Sequence, residues 1–343
     1  MNAAKILKPG PLTTVQDSGR RGYQRFGMPE AGAMDKFSFR TANLLVGNCA
    51  GSAVLEFTLD GPDLIFQKDS IIAITGGDFS PCLNSCQIPM WQSIYVSSGS
   101  RLEIGAVNYG ARGYIAFKGG IDVEEKMGSR STYLKGGVGG FKGRKLQKGD
   151  LLKLGKKADR DEYIQASLPG SYIPKYTGHS DTRVILGPQE DHFTESGVET
   201  FLRGEYTVTS QADRMGYRLE GPKILHRDED SSDIISDGSP PGAVQVPGHE
   251  NPIIMMADRQ TTGGYPKIAA VISVDLPYVA QLKPGETLSF NEVSLKRAQK
   301  LLEKREQILD EIEKKKFKLT DDRFYRINVK DENFFVRVEE VEE

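Results

Sequence analysis

Glycine and proline cut this chain into short apolar runs, and that punctuation limits its fold more than any other feature. Stretches such as 70–77 (SIIAITGG), 112–120 (RGYIAFKGG), 181–188 (DTRVILGP), 205–210 (EYTVTS) and 286–290 (ETLSF) are β-branched and end at turn residues. Runs of roughly four to eight such residues, bounded by Gly, Pro, Asn or Asp, read as strands. Their frequency predicts a mainly β chain built from barrels or sandwiches. The 37 glycines and 17 prolines supply the turns, and 343 residues suffice for two domains.

Three segments carry a helical period instead. In 33–48 (AMDKFSFRTANLLVGN), Asp35 is placed as an N-cap, Phe37, Thr41, Leu44 and Leu45 as the apolar face, and Gly47 as the stop. A second helix is expected within 190–204 (EDHFTESGVETFLRG), with Glu190 and Asp191 beside His192 as capping carboxylates before its start, catalysis being the other reading of this cluster. A third opens at Ser294, with a narrow stripe of Leu295, Ala298, Leu302, Ile308 and Ile312 in an otherwise charged surface. Such a helix docks on the body or meets a partner. The polar stretch 156–181 reads as a linker. The expected division is a first β half over 1–160, a linker over 161–181, a second β half over 182–293, and a charged helix with its tail over 294–343. The tail after about residue 317 alternates apolar and charged residues, the pattern of an edge hairpin or of an unordered end.

Several functions are disfavoured by composition. A net charge of −2 predicts no general affinity for nucleic acid or anionic membrane. No apolar run reaches the roughly 18 residues of a membrane span, and the first residues lack the apolar core of a signal peptide. Three sparse cysteines, Cys49, Cys82 and Cys86, fit a reducing cytoplasm and are expected to be small buried fillers. Cys82 and Cys86 have no second ligand pair, and His179, His192, His226 and His249 are scattered, so no metal is expected.

Polar loops carry the chemistry. Between the apolar runs at 253 and 273 lies an insertion holding Asp258, Arg259, Thr261, Thr262, Gly263, Gly264, Tyr265 and Lys267. Arg259 suits a two-pronged grip on a carboxylate or phosphate. The threonines and glycine amides suit a developing oxyanion, and Asp258 suits orientation of the arginine or proton transfer. The other reading is a plain hairpin turn held by an Asp–Arg clamp. Asp213 and Arg214 repeat the acid–base pair beside Tyr217, as if on a second exposed turn. Asp17, Arg20 and Arg21 add a third cluster. Arg130 opens the glycine-rich loop 128–144, which reads as an anion cradle, a lid or a hairpin. A faint repeat relates 19–34 to 213–225 through Arg and Gly-Tyr at matched spacing, as if the halves were duplicates.

The blocks GPLTTVQDSGRRGYQRFGMPEAGAMD, ANLLVGN, LEFTLDGPDLIF, GSRSTY, ADRMGYRLEGP and PIIMMADRQTTGGYPKIA occur in that order. Over roughly residues 5 to 300 the chain resembles the family known as the C component of 5-oxoprolinase, antagonist of the KipI kinase inhibitor, or allophanate hydrolase subunit 2. The resemblance implies two cyclophilin-like β-barrel units related to part of a biotin-dependent carboxyltransferase. It implies an enzyme subunit that is inactive alone and needs two companions, a KipI-like B component and an A component. Together they carry out the ATP-dependent opening of 5-oxo-L-proline to L-glutamate. No nucleotide motif and no biotin-attachment lysine is present, so ATP is expected elsewhere in the complex or on the 128–144 loop. By residue type, Asp258, Arg259, Thr261, Thr262, Asp213, Arg214 and Tyr217 are the catalytic candidates. Gly263, Gly264, Tyr265, Lys267, Arg130, Asp17 and Arg20 are the candidates for binding substrate or anion. Two other functions compete: a regulatory protein that binds a KipI-like kinase inhibitor, and a carboxyltransferase component acting on urea or a related amide.

Overall fold

The structure is a computed structural model that describes residues 3–155, 165–314, 323–329 and 332–338, the last two stretches in backbone alone. The start of the expected linker, 161–164, lies outside the described residues.

Residues 3–153 form two sheets. One has six strands in the order Leu151–Lys153, Ala3–Lys8, Asp63–Phe66, Arg101–Glu103, Cys82–Leu83, Cys86–Gln87. The other has five, ordered Leu12–Gln16, Val54–Thr58, Val107–Phe117, Ser70–Phe79, Ser93–Val96. Their inner faces meet through Ile6, Leu64 and Phe66 on one side and Leu55, Phe57, Ile72, Ile74 and Phe117 on the other. Alternation turns Ile71, Ala73, Tyr114 and Ala116 to the opposite face, where helix α1 (Lys36–Leu45) covers them with Phe39, Ala42 and Leu45. Burial on both faces is why the run SIIAI carries no polar alternation. Asp35 caps α1 as expected, its carboxylate accepting from the Ser38 amide at 2.9 Å.

The second half is a closed seven-stranded barrel: His179–Leu186, Lys267–Val271, Ala243–Gln245, Ile253–Met255, Gly216–Glu220, Glu205–Val208 and Thr287–Glu292. The last strand pairs in parallel with the first, from His179 opposite Thr287 to Val184 opposite Glu292. Helix α2 (Glu195–Arg203) covers the barrel by stacking Phe201 on Phe290, centroids 4.3 Å apart. A short helix α3 (Leu276–Ala280) precedes the last strand. Met34, from the loop before α1, is buried among the barrel's own core residues.

Several expectations need correction. The runs flanking the 258–267 insertion do not form a hairpin, because Ala243–Gln245 lies between them and pairs with both. The insertion is therefore a crossover, and its tip Thr262–Gly263 pairs with Asp237–Gly238. Helix α2 is capped by Thr194, whose hydroxyl accepts from the Gly197 amide at 2.9 Å; Glu190–His192 form a separate turn. Helix α4 (Leu295–Glu313) opens at Ser294 as predicted. Only its last turns dock, through Leu309 and Ile312 against Phe37, Trp91 and Leu168, whereas Leu295 and Leu302 remain 60% and 41% exposed. The cysteines are not buried fillers: Cys49 is exposed, and Cys82 and Cys86 are half-exposed on a two-residue ladder at the sheet edge. Gly216 and Tyr217 begin a strand, whereas Gly22 and Tyr23 sit in a turn, so the repeat does not map onto matching elements. In the tail, Arg323–Val329 and Glu332–Val338 pair as an antiparallel hairpin.

Candidate functional site at the junction of the halves

The loops singled out in the sequence converge where the two halves meet, but most of their charge lies inside. Arg214 is 5% exposed. It donates to both oxygens of Asp258, at 3.1 and 2.8 Å, to the Gly32 carbonyl at 2.7 Å, and to Glu56. The second Glu56 oxygen accepts from the Met34 amide at 2.8 Å and the Tyr114 hydroxyl at 2.9 Å. Burial opposes the Arg214 charge, but Asp258 and Glu56 outweigh it and hold the guanidinium protonated. Burial also pushes the Asp258 carboxyl up, against the pull of Arg214. These are the contacts of a buried clamp joining two halves, not of an exposed turn.

Neighbouring candidates are also held inside. Tyr217 is buried, its hydroxyl facing the carbonyls of Ala280 and Leu282 at 3.2 and 3.3 Å and accepting from Arg112. Asp213 is exposed and closes its own turn, accepting from the Met215 and Gly216 amides at 2.8 and 3.1 Å. Arg259 is buried and donates to the Ser239 carbonyl at 2.7 Å and to Glu30 at 3.0 Å. Lys267 is buried with its ammonium 2.9 Å from Asp237, which anchors the crossover tip. Of that insertion, Thr262 and Tyr265 are exposed, and Thr261, Gly263 and Gly264 are half-exposed.

The glycine-rich loop is fastened from below. Asp17 accepts from the Gly19 amide at 2.8 Å, the Ser129 hydroxyl at 2.7 Å, the Arg130 amide at 2.5 Å, and the Ser131 hydroxyl. Arg20 is fully buried and donates to the carbonyls of Lys126, at 3.2 Å, and Ser131. Arg130 itself turns to the Val123 carbonyl and Glu125, both at 3.2 Å. A side chain at Gly139 would strike the Ser131 carbonyl, and one at Gly140 the Thr132 hydroxyl. Close packing accounts for these two glycines, whereas a side chain at Gly128 or Gly137 would meet nothing.

Sequence reading missed Glu30, Glu56, Lys36, Arg40 and Arg305. Glu56 carried a signal, an acid in the middle of the apolar strand Val54–Thr58. So did Lys36, a cation at the first position of a helix, where the macrodipole favours acids. A cleft of about 420 Å³ opens between α1, α3 and α4, lined by Arg21, Lys36, Phe37, Arg40, Pro277 and Arg305 among others. Glu30 links its wall to the 258–267 insertion, with Arg259 at 3.0 Å and Arg21 at 3.8 Å. Loss of hydration lowers the Lys36 ammonium pKa; Glu30 opposes this, and Arg21 and Arg259 add to it. Solvent still reaches Lys36 through the open mouth. Among the described residues, no group of three or more His, Cys, Asp or Glu is placed to hold a metal. No described helix is long and apolar enough to cross a membrane.

The family described as "carboxyltransferase domain, subdomain A and B" matches residues 26–292. The chain belongs to that family. Within it, the C component of 5-oxoprolinase from Escherichia coli (strain K12) is 38% identical over 308 residues, 90% of this chain and 97% of that protein. The urea amidolyase of Lachancea kluyveri is 36% identical over 346 residues, 93% of this chain but 18% of its own length. The crystal structure of the K. lactis urea amidolyase aligns with a TM-score of 0.84 at 35% identity, over 90% of this chain and 20% of that one. The mainly β fold of this carboxyltransferase-family chain thus has a solved counterpart, and the chain spans about a fifth of the urea amidolyases. The matched residues contain the whole Glu56–Arg214–Asp258 clamp, whereas Arg20, Arg21 and α4 lie outside them.

Proposed function

We propose that this chain is one component of an ATP-dependent 5-oxoprolinase, which opens 5-oxo-L-proline to L-glutamate together with an A component and a KipI-like B component. The observation that carries the reading is end-to-end similarity to the C component of 5-oxoprolinase, 38% over 97% of that protein. The chemistry needs an anchor for a carboxylate and donors for a lactam carbonyl that gains negative charge. ATP phosphorylates the lactam oxygen and ADP leaves; water adds at the carbonyl carbon, the ring nitrogen takes a proton as its C–N bond breaks, and a second water hydrolyses the resulting acyl phosphate to the carboxylate and free phosphate. In this reading Arg214, Asp258 and Tyr217 are positioning residues, because their polar atoms are used by the protein itself. Contact with the reacting molecule falls to groups that meet solvent: Arg21 and Lys36 in the cleft for charge, and Thr261, Thr262 and Tyr265 on the crossover for neutral donation. ATP is assigned to a companion component, since this chain carries no recognisable nucleotide-binding motif. The setting is cytoplasmic.

The test is glutamate release from 5-oxo-L-proline and ATP by this chain alone, by the A and B components alone, and by all three. Turnover is expected only from the full set. Equal turnover by the A and B components without this chain would end the reading. The urea amidolyase relatives favour a second reading, a carboxyltransferase component acting on urea or a related amide. Carboxyl transfer to urea from a separate carboxybiotin carrier, by an assembly inactive on 5-oxoproline, would establish it instead.

A further inference from the structure

We infer that the cleft between α1, α3 and α4 anchors the carboxylate of a small organic acid with a compact apolar body, gripped by Lys36, Arg21 and Arg305. Its walls carry four cationic side chains, Arg21, Lys36, Arg40 and Arg305, against one carboxylate, Glu306. That carboxylate is occupied by Arg40 at 2.6 Å, which leaves the other three cations without a counter-charge from the cleft walls. Lys36 makes no hydrogen bond or ion pair among the described residues. Arg21 lies 3.8 Å from Glu30, whose other oxygen takes Arg259 at 3.0 Å, so Glu30 answers only part of the Arg21 charge. The Arg305 guanidinium stands 4.6 Å over the Phe37 ring and 3.5 Å from the Val274 carbonyl, too far for a strong bond. Loss of hydration is the main cause that lowers the Lys36 pKa, and the charges of Arg21 and Arg259 add to it against Glu30; an incoming carboxylate would supply the counter-charge these cations lack.

The rest of the lining sets the body of the ligand. Phe37, Phe39, Val274, Pro277, Leu302 and Leu309 make about half the wall apolar, which favours a carboxylate on a ring or short chain over a bare inorganic anion. The volume of about 420 Å³ suits a molecule of that size. Arg305 comes from α4, beyond the matched residues 26–292, so this helix completes the binding site as well as packing on α1. The inference deepens the 5-oxoprolinase reading by naming the residues that hold the substrate's carboxylate.

Calorimetric titration of the full chain, alone and assembled with the A and B components, tests it with four probes. These are 5-oxo-L-proline; cyclopentanecarboxylate, with ring and carboxylate but no lactam; 2-pyrrolidinone, a lactam without carboxylate; and sulfate. The two carboxylates are expected to bind, and 2-pyrrolidinone and sulfate to bind about tenfold more weakly or worse. K36M and R305M should each weaken the carboxylates by about tenfold, the loss of one charged hydrogen bond, and leave 2-pyrrolidinone unchanged. In the assembled enzyme each variant should raise KM for 5-oxoproline by a similar factor with kcat retained. Sulfate binding as tight as the carboxylates, wild-type affinity in both variants, or no carboxylate binding in either preparation would overturn the inference. Carboxylate binding that depends on Lys36 and Arg305 in an assembly without oxoprolinase turnover would remove the enzymatic reading and keep the site. Turnover with an unchanged KM in both variants would do the reverse.

Discussion

Arg214 joins one acid from each half of the molecule, Glu56 from the first and Asp258 from the second. Removing it would leave two buried carboxylates with no cation between them and the Gly32 carbonyl without its donor. Breaking one side of a buried pair costs about 3–5 kcal/mol, because the remaining charge is uncompensated. Arg214→Met should therefore lower stability by about that amount in urea unfolding. Arg214→Lys should recover little of it, since an ammonium cannot reproduce the two-pronged contact with Asp258. A change in either variant within the error of the measurement would contradict the clamp. The sequence offered Arg214 and Asp258 as neighbours in two similar motifs, but not their burial. Glu56 stands 158 residues from Arg214, and no local pattern announces a partner at that distance.

Elements with a strong local period were legible, and those decided by packing were not. Helix α1 begins and ends within a residue or two of its Asp35 cap and Gly47 stop, because capping is set by adjacent residues. The docked face of α4 was read too far toward its start, because the period fixes a stripe but not how much of it meets the body. For the insertion at 258–267 the sequence left a functional loop and a plain hairpin open; the hairpin fails because pairing with Ala243–Gln245 is a tertiary fact. The turn closing the six-stranded sheet shows an element held by local charge. Arg144 grips both oxygens of Asp150 at 2.7 and 2.8 Å, and the Asp150 carbonyl accepts from the Ile6 amide at 2.9 Å. The Arg144 hydrogen bond holds the Asp150 carboxyl below its ordinary value. A depressed carboxyl contributes stability above its unfolded pKa, about 3.9, and loses it as pH falls through the folded value. Asp150→Asn should thus be less stable than the parent by on the order of 1 kcal/mol at neutral pH. That difference should shrink as pH falls below the unfolded value and through the lower folded one. A pH-independent difference in denaturant midpoints would assign the effect to shape instead of charge.

Chains of this length often unfold in parts, yet the junction ties these halves at several independent points. Met34 enters the barrel core from the first half. The Ala31 amide donates to the Ala257 carbonyl at 3.1 Å. Gln281 accepts from the Ala111 and Arg112 amides, both at 2.9 Å, and donates to Asp35 at 2.9 Å. Opening the barrel alone would expose these groups along with the Arg214 clamp, so a half-folded species gains little over the unfolded chain. The chain has one tryptophan, Trp91, and it belongs to the first half, packed against Phe37, Leu309 and Ile312. Its fluorescence reports the first half and the docked end of α4, whereas far-UV circular dichroism reports all the secondary structure. Coupled halves predict coincident urea transitions by the two signals. Met34→Ala, a truncation inside the barrel, should shift both together by about 2–4 kcal/mol. Loss of dichroism before any change in Trp91 emission would mean that the barrel melts on its own. An early tryptophan change at full dichroism would mean that α4 leaves first, and the cleft it walls would then open without unfolding either half.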